Sequence, residues 1–253
     1  MLTPPRSLSV LIRFAVVFLL LATTVSAWAG LGPAAVNLSF YKVPMVCKSA
    51  PAIGCGSRAK PVLTALEGQS AVVAGAWLNR TGTVLAVQWK PNTLPAQRES
   101  VARQAFAKSE LTAEAVSGAE AATLAKSFGT GKNWYAASGV DQLSREEAVV
   151  IANRLVQRVQ AQAPLMAAQQ RTLAEQIKDA FSTGYTASAS SLSGTSETDR
   201  GNRVNQRILE ASASSLSPAQ QVALKAALAK GYRPVAGDKD APAGAPKSCC
   251  SRP

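Results

Sequence analysis

The sequence predicts an α+β protein in which a βαββαβ segment precedes an all-helical region. Three observations carry this expectation. Between residues 36 and 118, short runs rich in β-branched and aromatic residues alternate with stretches of helical periodicity. From 119 to 235 the apolar residues recur mainly at helical spacing. Serine, glycine and proline gather at the joins and in the last residues, 236–253, which have the composition of a disordered tail.

The first segment, 1–29, is set apart from both regions. Arg6 and Arg13 precede an uncharged run from Phe14 to Gly30, 17 residues long, and Ala27-Trp28-Ala29 supplies small residues at the spacing of a cleavage site. This is the layout of a secretory signal peptide, with cleavage expected after Ala29 or, second, after Ala27. The alternative is an inner-membrane anchor, for which the run is short against about 30 Å of hydrocarbon. No later segment is long and apolar enough to span a membrane, so the cleaved chain is expected to be periplasmic or secreted.

The elements of the first region follow in order. "VNLSFYKVPMV" is β-rich and ends at a cysteine-containing loop. "SRAKPVLTALEGQ" then has helical character, with Ser57 as the expected cap and Pro61 near the first turn. Val72 to Leu78 and Thr83 to Trp89 form the arms of a hairpin, because Asn79-Arg80-Thr81-Gly82 between them is turn chemistry. "LPAQRESVARQAFAKSE" is a second helix opened by Pro95, and "LTAEAVSG" supplies a closing strand. The order β, α, β, β, α, β is the ferredoxin-like arrangement.

In the second region, Ser144-Arg145-Glu146-Glu147 has the form of a capping box. Ala148, Ala152, Leu155, Val159, Met166, Leu173, Ile177 and Phe181 make an apolar stripe. Pro164 is expected to kink or split that element. A serine-rich link precedes two more helices, one with Val204, Ile208 and Leu209 facing inward and one opened by Ser217 and Pro218.

Composition narrows the function. Taking the 29-residue leader and its two arginines from 253 residues and 27 basic side chains leaves 224 residues with 25 basic and 15 acidic groups, net +10. The basic residues are scattered singly with few interleaved aromatics, which argues against nucleic acid as a partner. The chain has no histidine. That removes the usual general base, the histidine-containing triads and the commonest zinc ligand, so no enzymatic activity is expected.

Four cysteines fall as two pairs, Cys47 with Cys55 and Cys249 with Cys250. Cys47 and Cys55 are compatible with three roles. A disulfide between them would close a small loop and stabilise by about 2–3 kcal/mol on the chain-entropy model. As thiolates they would select Cu(I), Hg(II) or Zn(II), the metals taken as possible cargo here. As a redox couple they lack the C-x-x-C spacing. Lys48, Arg58, Lys60 and the start of a helix, with no carboxylate nearby in sequence, are expected to lower the thiol pKa of Cys55. Adjacent Cys249 and Cys250 disfavour a disulfide with one another, which leaves metal capture, pairing with another chain or with Cys47 and Cys55, or a tail without a role.

"VPMVC…GCGSRAKPVLTALEGQSAVV", followed by the hairpin and second helix, resembles the heavy-metal-associated domain of copper chaperones and periplasmic mercuric-ion binding proteins. Met45-Val46-Cys47 matches the start of that family's Met-x-Cys-x-x-Cys loop, and Cys55 stands where the second ligand would be. Seven residues separate the two cysteines where the family has two, so the match is in order and not in spacing. The resemblance implies a ferredoxin-like fold holding one soft ion between two thiolates, with Cys47, Cys55, Cys249 and Cys250 as the candidate ligands. "LTAE", "LSREE" and "LSPAQQ" resemble, more weakly, the LTxxQ segments of periplasmic helical stress proteins, which implies an envelope location. The expectation is an exported soft-metal binding or trafficking protein whose helical region meets another envelope metal-handling or membrane protein. The competing expectations are a non-enzymatic envelope structural or interaction protein with a Cys47–Cys55 disulfide, and thiol–disulfide exchange.

Overall fold

A computed structural model describes residues 37–186 and 197–241. The expected leader, Cys249 and Cys250 lie outside the described residues. The chain divides into Met1–Leu38 and a compact unit from Ser39 onward.

The class is α+β, with one five-stranded antiparallel sheet and seven helices among the described residues. In chain order these are β1 (Leu38–Lys42), α1 (Gly56–Glu67), β2 (Val73–Asn79), β3 (Val84–Trp89), α2 (Pro95–Lys108), β4 (Glu114–Val116), α3 (Gly118–Gly129), β5 (Trp134–Tyr135), α4 (Asp141–Gln160), α5 (Ala167–Thr186), α6 (Glu197–Ser212) and α7 (Pro218–Ala229). The strands lie in the order β4-β1-β3-β2-β5. The hairpin pairs Leu78 with Leu85 and Ala76 with Val87. β5, which the sequence reading did not place, adds Tyr135 opposite Leu78. Two residues are too short a run to show periodicity, which is why it escaped notice.

Apolar residues of α1 (Ala59, Val62, Leu63, Leu66) and α2 (Ala102, Ala105, Phe106) share one buried cluster with the sheet residues Leu78, Leu85, Val87 and Trp89. The Trp89 indole donates to the Ser39 hydroxyl (2.9 Å), so its polar edge is satisfied inside the core. Phe128 of α3 packs edge-on against Trp77 and Trp134, with centroids 5.1 and 5.3 Å apart. A second buried cluster joins α4 to α7 through Leu155, Val159, Leu173, Ile177, Ile208 and Leu224.

Pro164 falls between α4 and α5, and the chain turns back there instead of continuing. The turn breaks the helical phase, so Met166, which the periodicity puts on the apolar stripe, is 69% exposed. α7 begins as its sequence dictates: Ser217 accepts from the Gln220 N–H and the Gln220 side chain accepts from the Ser217 N–H (2.9 Å). The expected cap at Ser144 is not formed. α4 starts at Asp141, and Ser144 is a buried residue of its first turn with an unpartnered hydroxyl. No helix among the described residues is long and apolar enough to cross a membrane.

Candidate functional site

The loop after β1 carries Cys47 and Cys55, and backbone bonds make it a closed turn. The Cys47 N–H donates to the Ile53 carbonyl (2.8 Å), the Cys55 N–H donates to the Met45 carbonyl (2.7 Å), and Val46 and Gly54 face each other between these bonds. In an antiparallel pair of this register, Met45, Cys47, Ile53 and Cys55 share one face. Cys47 stands opposite Ile53 and Cys55 opposite Met45, so the two cysteines are diagonal neighbours. Diagonal positions lie about 7–8 Å apart, whereas a disulfide needs its Cβ atoms at about 3.5–4.5 Å. Both thiols are free.

The turn is held on the β2–β3 hairpin. The Met45 N–H donates to the Gly82 carbonyl (3.0 Å) and the Gly54 N–H to the Arg80 carbonyl (2.7 Å). Gly82 has φ +73°, and a Cβ there would stand 2.4 Å from the Met45 carbonyl oxygen and 2.6 Å from the Gly54 Cα. Two glycines therefore let two backbones meet where no side chain would fit.

Cys55 is the N-cap residue of α1, in place of the expected Ser57; the Cys55 sulfur and the Ser57 hydroxyl are 3.4 Å apart. The first residue of α1, Gly56, lies directly against the first turn of α4, since a Cβ on it would sit 2.6 Å from the Val140 carbonyl and the Ser144 hydroxyl. Lys60 to Asp141 (2.5 Å) and Arg80 to Glu146 (2.7 Å) tie α1 and the hairpin to the same turn. One helical turn past Ser144, Glu147 comes within hydrogen-bonding reach of the Cys47 thiol. The sequence assigned Glu146 and Glu147 to a cap; one is a cross-link and the other lines the site. The missed signal is that Glu147 falls on the apolar stripe of α4, four residues from buried Leu143 and Ile151.

Cys47 and Cys55 open on a cleft of about 410 Å³ whose walls include Glu147, Arg58, Phe181, Tyr232 and Arg233. Burial pushes both thiols up, and Glu147 pushes each further, while Ser57 and Arg58 oppose the rise at Cys55. The expectation of a lowered Cys55 thiol is thus reversed: desolvation outweighs the basic neighbours, and the carboxylate missing from the local sequence arrives from α4. Burial also raises the Glu147 carboxyl, which the neighbouring Cys47 thiol opposes.

Cys47 donates nothing to the backbone; instead its sulfur accepts from the Ser49 and Ala50 N–H groups, both at 3.3 Å. Among the described residues, no group of three or more His, Cys, Asp or Glu is arranged to hold a metal ion. The site is a pair of thiols with one carboxyl beside the buried member. Compared with protein-family models, curated proteins and solved structures, the chain matches none.

Proposed function

We propose that the chain is an exported carrier of a soft metal ion, Cu(I) or Hg(II), held between the thiolates of Cys47 and Cys55 in a ferredoxin-like βαββαβ module. The observation that carries this reading is the pair of free cysteines on one face of a clamped turn, both opening on the same cleft. The module reading is supported by the strand order β4-β1-β3-β2 around α1 and α2. A d10 ion is satisfied by two nearly linear sulfur ligands, so the donor set suits Cu(I) and Hg(II); Zn(II) would need further ligands. The leader-like first segment supports export, and the helical bundle beyond the cleft is the surface offered to an envelope partner.

The competing readings are weaker on physical grounds. A structural disulfide would have to pull diagonal neighbours together against the backbone bonds of the turn. Thiol–disulfide exchange needs an ionised attacking thiol, and Cys55, the more accessible one, is shifted the other way.

Anaerobic titration of the reduced, leader-free protein with Cu(I) against a competing chelator tests the proposal. One equivalent should bind, protect two thiols from alkylation and be lost in Cys47→Ser. Because both thiols are protonated beforehand, binding should release two protons and tighten steeply as pH rises. If alkylation reaches both loop thiols at full metal loading, or if the isolated protein carries a Cys47–Cys55 disulfide, the carrier reading fails.

A further inference from the structure

The cleft beside the thiols collects positive charge from four separate parts of the chain. Lys48 comes from the cysteine turn, Arg58 from the first turn of α1, Arg200 from α6 and Arg233 from the segment after α7, against one carboxylate, Glu147. No ion pair among the described residues involves Lys48, Arg58 or Arg233. α1 adds to the same sign at its N-terminus, where the first turn holds no acidic residue and the N-cap makes no side-chain capping bond. Cations spread over a surface serve solubility; four that converge on one concavity focus their field there and draw an anion in.

The walls that carry these cations are held in place. Arg154 and Arg158 of α4 are 1% and 6% exposed. Arg154 donates to both carboxylate oxygens of Asp240 (3.0 and 3.1 Å), and Arg158 donates to the Asp238 carboxylate (2.9 and 2.7 Å) and to the carbonyls of Gly231 (2.5 Å) and Arg233 (2.8 Å). Two nearly buried guanidinium groups, each with its own carboxylate, therefore strap residues 231–240 along α4, and removing either partner would leave an uncompensated charge. The Tyr232 hydroxyl donates to the Asn205 side chain (2.6 Å) and lies 3.3 Å from the Gly201 carbonyl, which fixes the strap to α6 beside Arg200. On the α1 side, one Nη of Arg58 donates to the Pro44 carbonyl (3.2 Å), which tethers its guanidinium and leaves its other donors to the cleft. Cations positioned before a ligand arrives bind it at lower ordering cost.

We propose that the cleft binds a small multivalent oxyanion, a molecule with two or more phosphate or carboxylate groups, through Lys48, Arg58, Arg200 and Arg233. Its volume of about 410 Å³ lies within the range of roughly 300–1,000 Å³ common to small-molecule sites, more than an ion between two sulfurs fills. Guanidinium groups meet such oxyanions with paired hydrogen bonds, and the lysine meets them as a point charge. The start of α1 offers backbone N–H groups to the same charge. Phe181 and Tyr232, packed edge-on with centroids 4.7 Å apart, supply apolar wall. The oxyanion site shares the cleft with the metal reading but uses none of its thiols, so either can fail without the other.

Calorimetric titration of the reduced, leader-free protein at low salt with inorganic pyrophosphate, and separately with tricarballylate, tests the proposal. One equivalent of at least one probe should bind, and the tighter of the two assigns phosphate or carboxylate as the group recognised. Arg58→Gln/Arg233→Gln should weaken that binding about tenfold or more through lost charge-assisted hydrogen bonds, and Lys48→Gln by a smaller factor. Lys90→Gln/Lys225→Gln removes the same charge from exposed residues outside the cleft and should weaken it less than about twofold. All five side chains are exposed, so the variants should melt as wild type does. No binding of either probe overturns the proposal, as does binding of several equivalents that falls alike in the two double variants, the mark of general surface attraction. Cys47→Ser/Cys55→Ser separates the oxyanion site from the carrier: oxyanion binding should persist while Cu(I) uptake is lost. Oxyanion binding that vanishes with the thiols overturns the proposal, and Cu(I) uptake by a wild type that binds neither probe leaves the carrier standing alone.

Discussion

Gly82→Ala should release the cysteine turn from the hairpin, and the structure sets the size of the effect. A left-handed conformation costs a residue with a Cβ about 1–2 kcal/mol. The new methyl would also stand 2.4 Å from the Met45 carbonyl oxygen, 2.7 Å from its carbon and 2.6 Å from the Gly54 Cα. All three are backbone atoms, so no side chain can swing aside, and overpacking of this kind costs about a further 1–3 kcal/mol. The total, about 2–5 kcal/mol, bears first on the bonds from Met45 to Gly82 and from Gly54 to Arg80, which dock the turn. Cys47 is 4% exposed and reacts only when the turn opens. Converted at 1.4 kcal/mol per factor of ten, its reaction with an aromatic disulfide reagent should accelerate roughly 30-fold to several thousand-fold. Cys55, already partly exposed, should change far less. Stopped-flow thiol counting on Cys55→Ser/Cys249→Ser/Cys250→Ser backgrounds, with and without Gly82→Ala, isolates Cys47. An unchanged Cys47 rate together with an unfolding free energy within 1 kcal/mol of wild type would refute the argument that the Gly54–Gly82 approach builds the site.

Three further outcomes are expected. Glu147→Gln should stabilise the folded protein: burial raises this carboxyl, so its folded-state advantage exists below its unfolded value and is lost as pH rises. The variant's gain in melting temperature should therefore grow from about pH 4 toward pH 7, and a constant or negative difference would contradict the assignment. Asp238→Ala should cost about 3–5 kcal/mol by leaving Arg158 buried without its carboxylate, and Arg158→Met in the same chain should recover most of it. Burial raises Asp238, but the hydrogen bonds from Arg158 and the Val235 N–H and the charges of Arg158 and Arg154 together outweigh it and the pKa is net lowered; the stabilisation is present above about pH 4 and lost as pH falls, which acid melts of wild type and variant compare. Ser217→Ala should cost about 0.5–2 kcal/mol in urea unfolding by removing the cap of α7.

What could be seen in the sequence was local chemistry. The β2–β3 hairpin announced itself by its turn residues, α2 and α7 by proline at the first helical position, and the break between α4 and α5 by Pro164. Each of these is decided within a few residues, where propensity and geometry agree. The positions misread are those decided across the fold. Ser144 has the form of a cap, yet α4 starts three residues earlier because Asp141 is held by Lys60 of α1. Arg154 and Arg158 drew no expectation from the sequence, and only the return of residues 231–240 makes them buried anchors. Cys47 and Cys55 were legible as a pair, but not Glu147, which stands 92 positions from Cys55 in the chain.

Glu147 also decides how the cleft would trade protons for metal. Both thiols are held above their ordinary values, so the metal-free protein should carry them protonated and oxidise slowly, since the reactive species is the thiolate. A soft cation reverses each cause of that shift, replacing desolvation by direct bonding and offsetting the Glu147 charge. The carboxylate beside Cys47 is placed to accept the first departing proton. Glu147→Gln would remove that acceptor while keeping the shape. Uptake of Cu(I) should then slow at neutral pH with equilibrium affinity little changed, and stopped-flow mixing against a fixed chelator separates the two. Equal association rates would assign Glu147 to shaping the cleft alone.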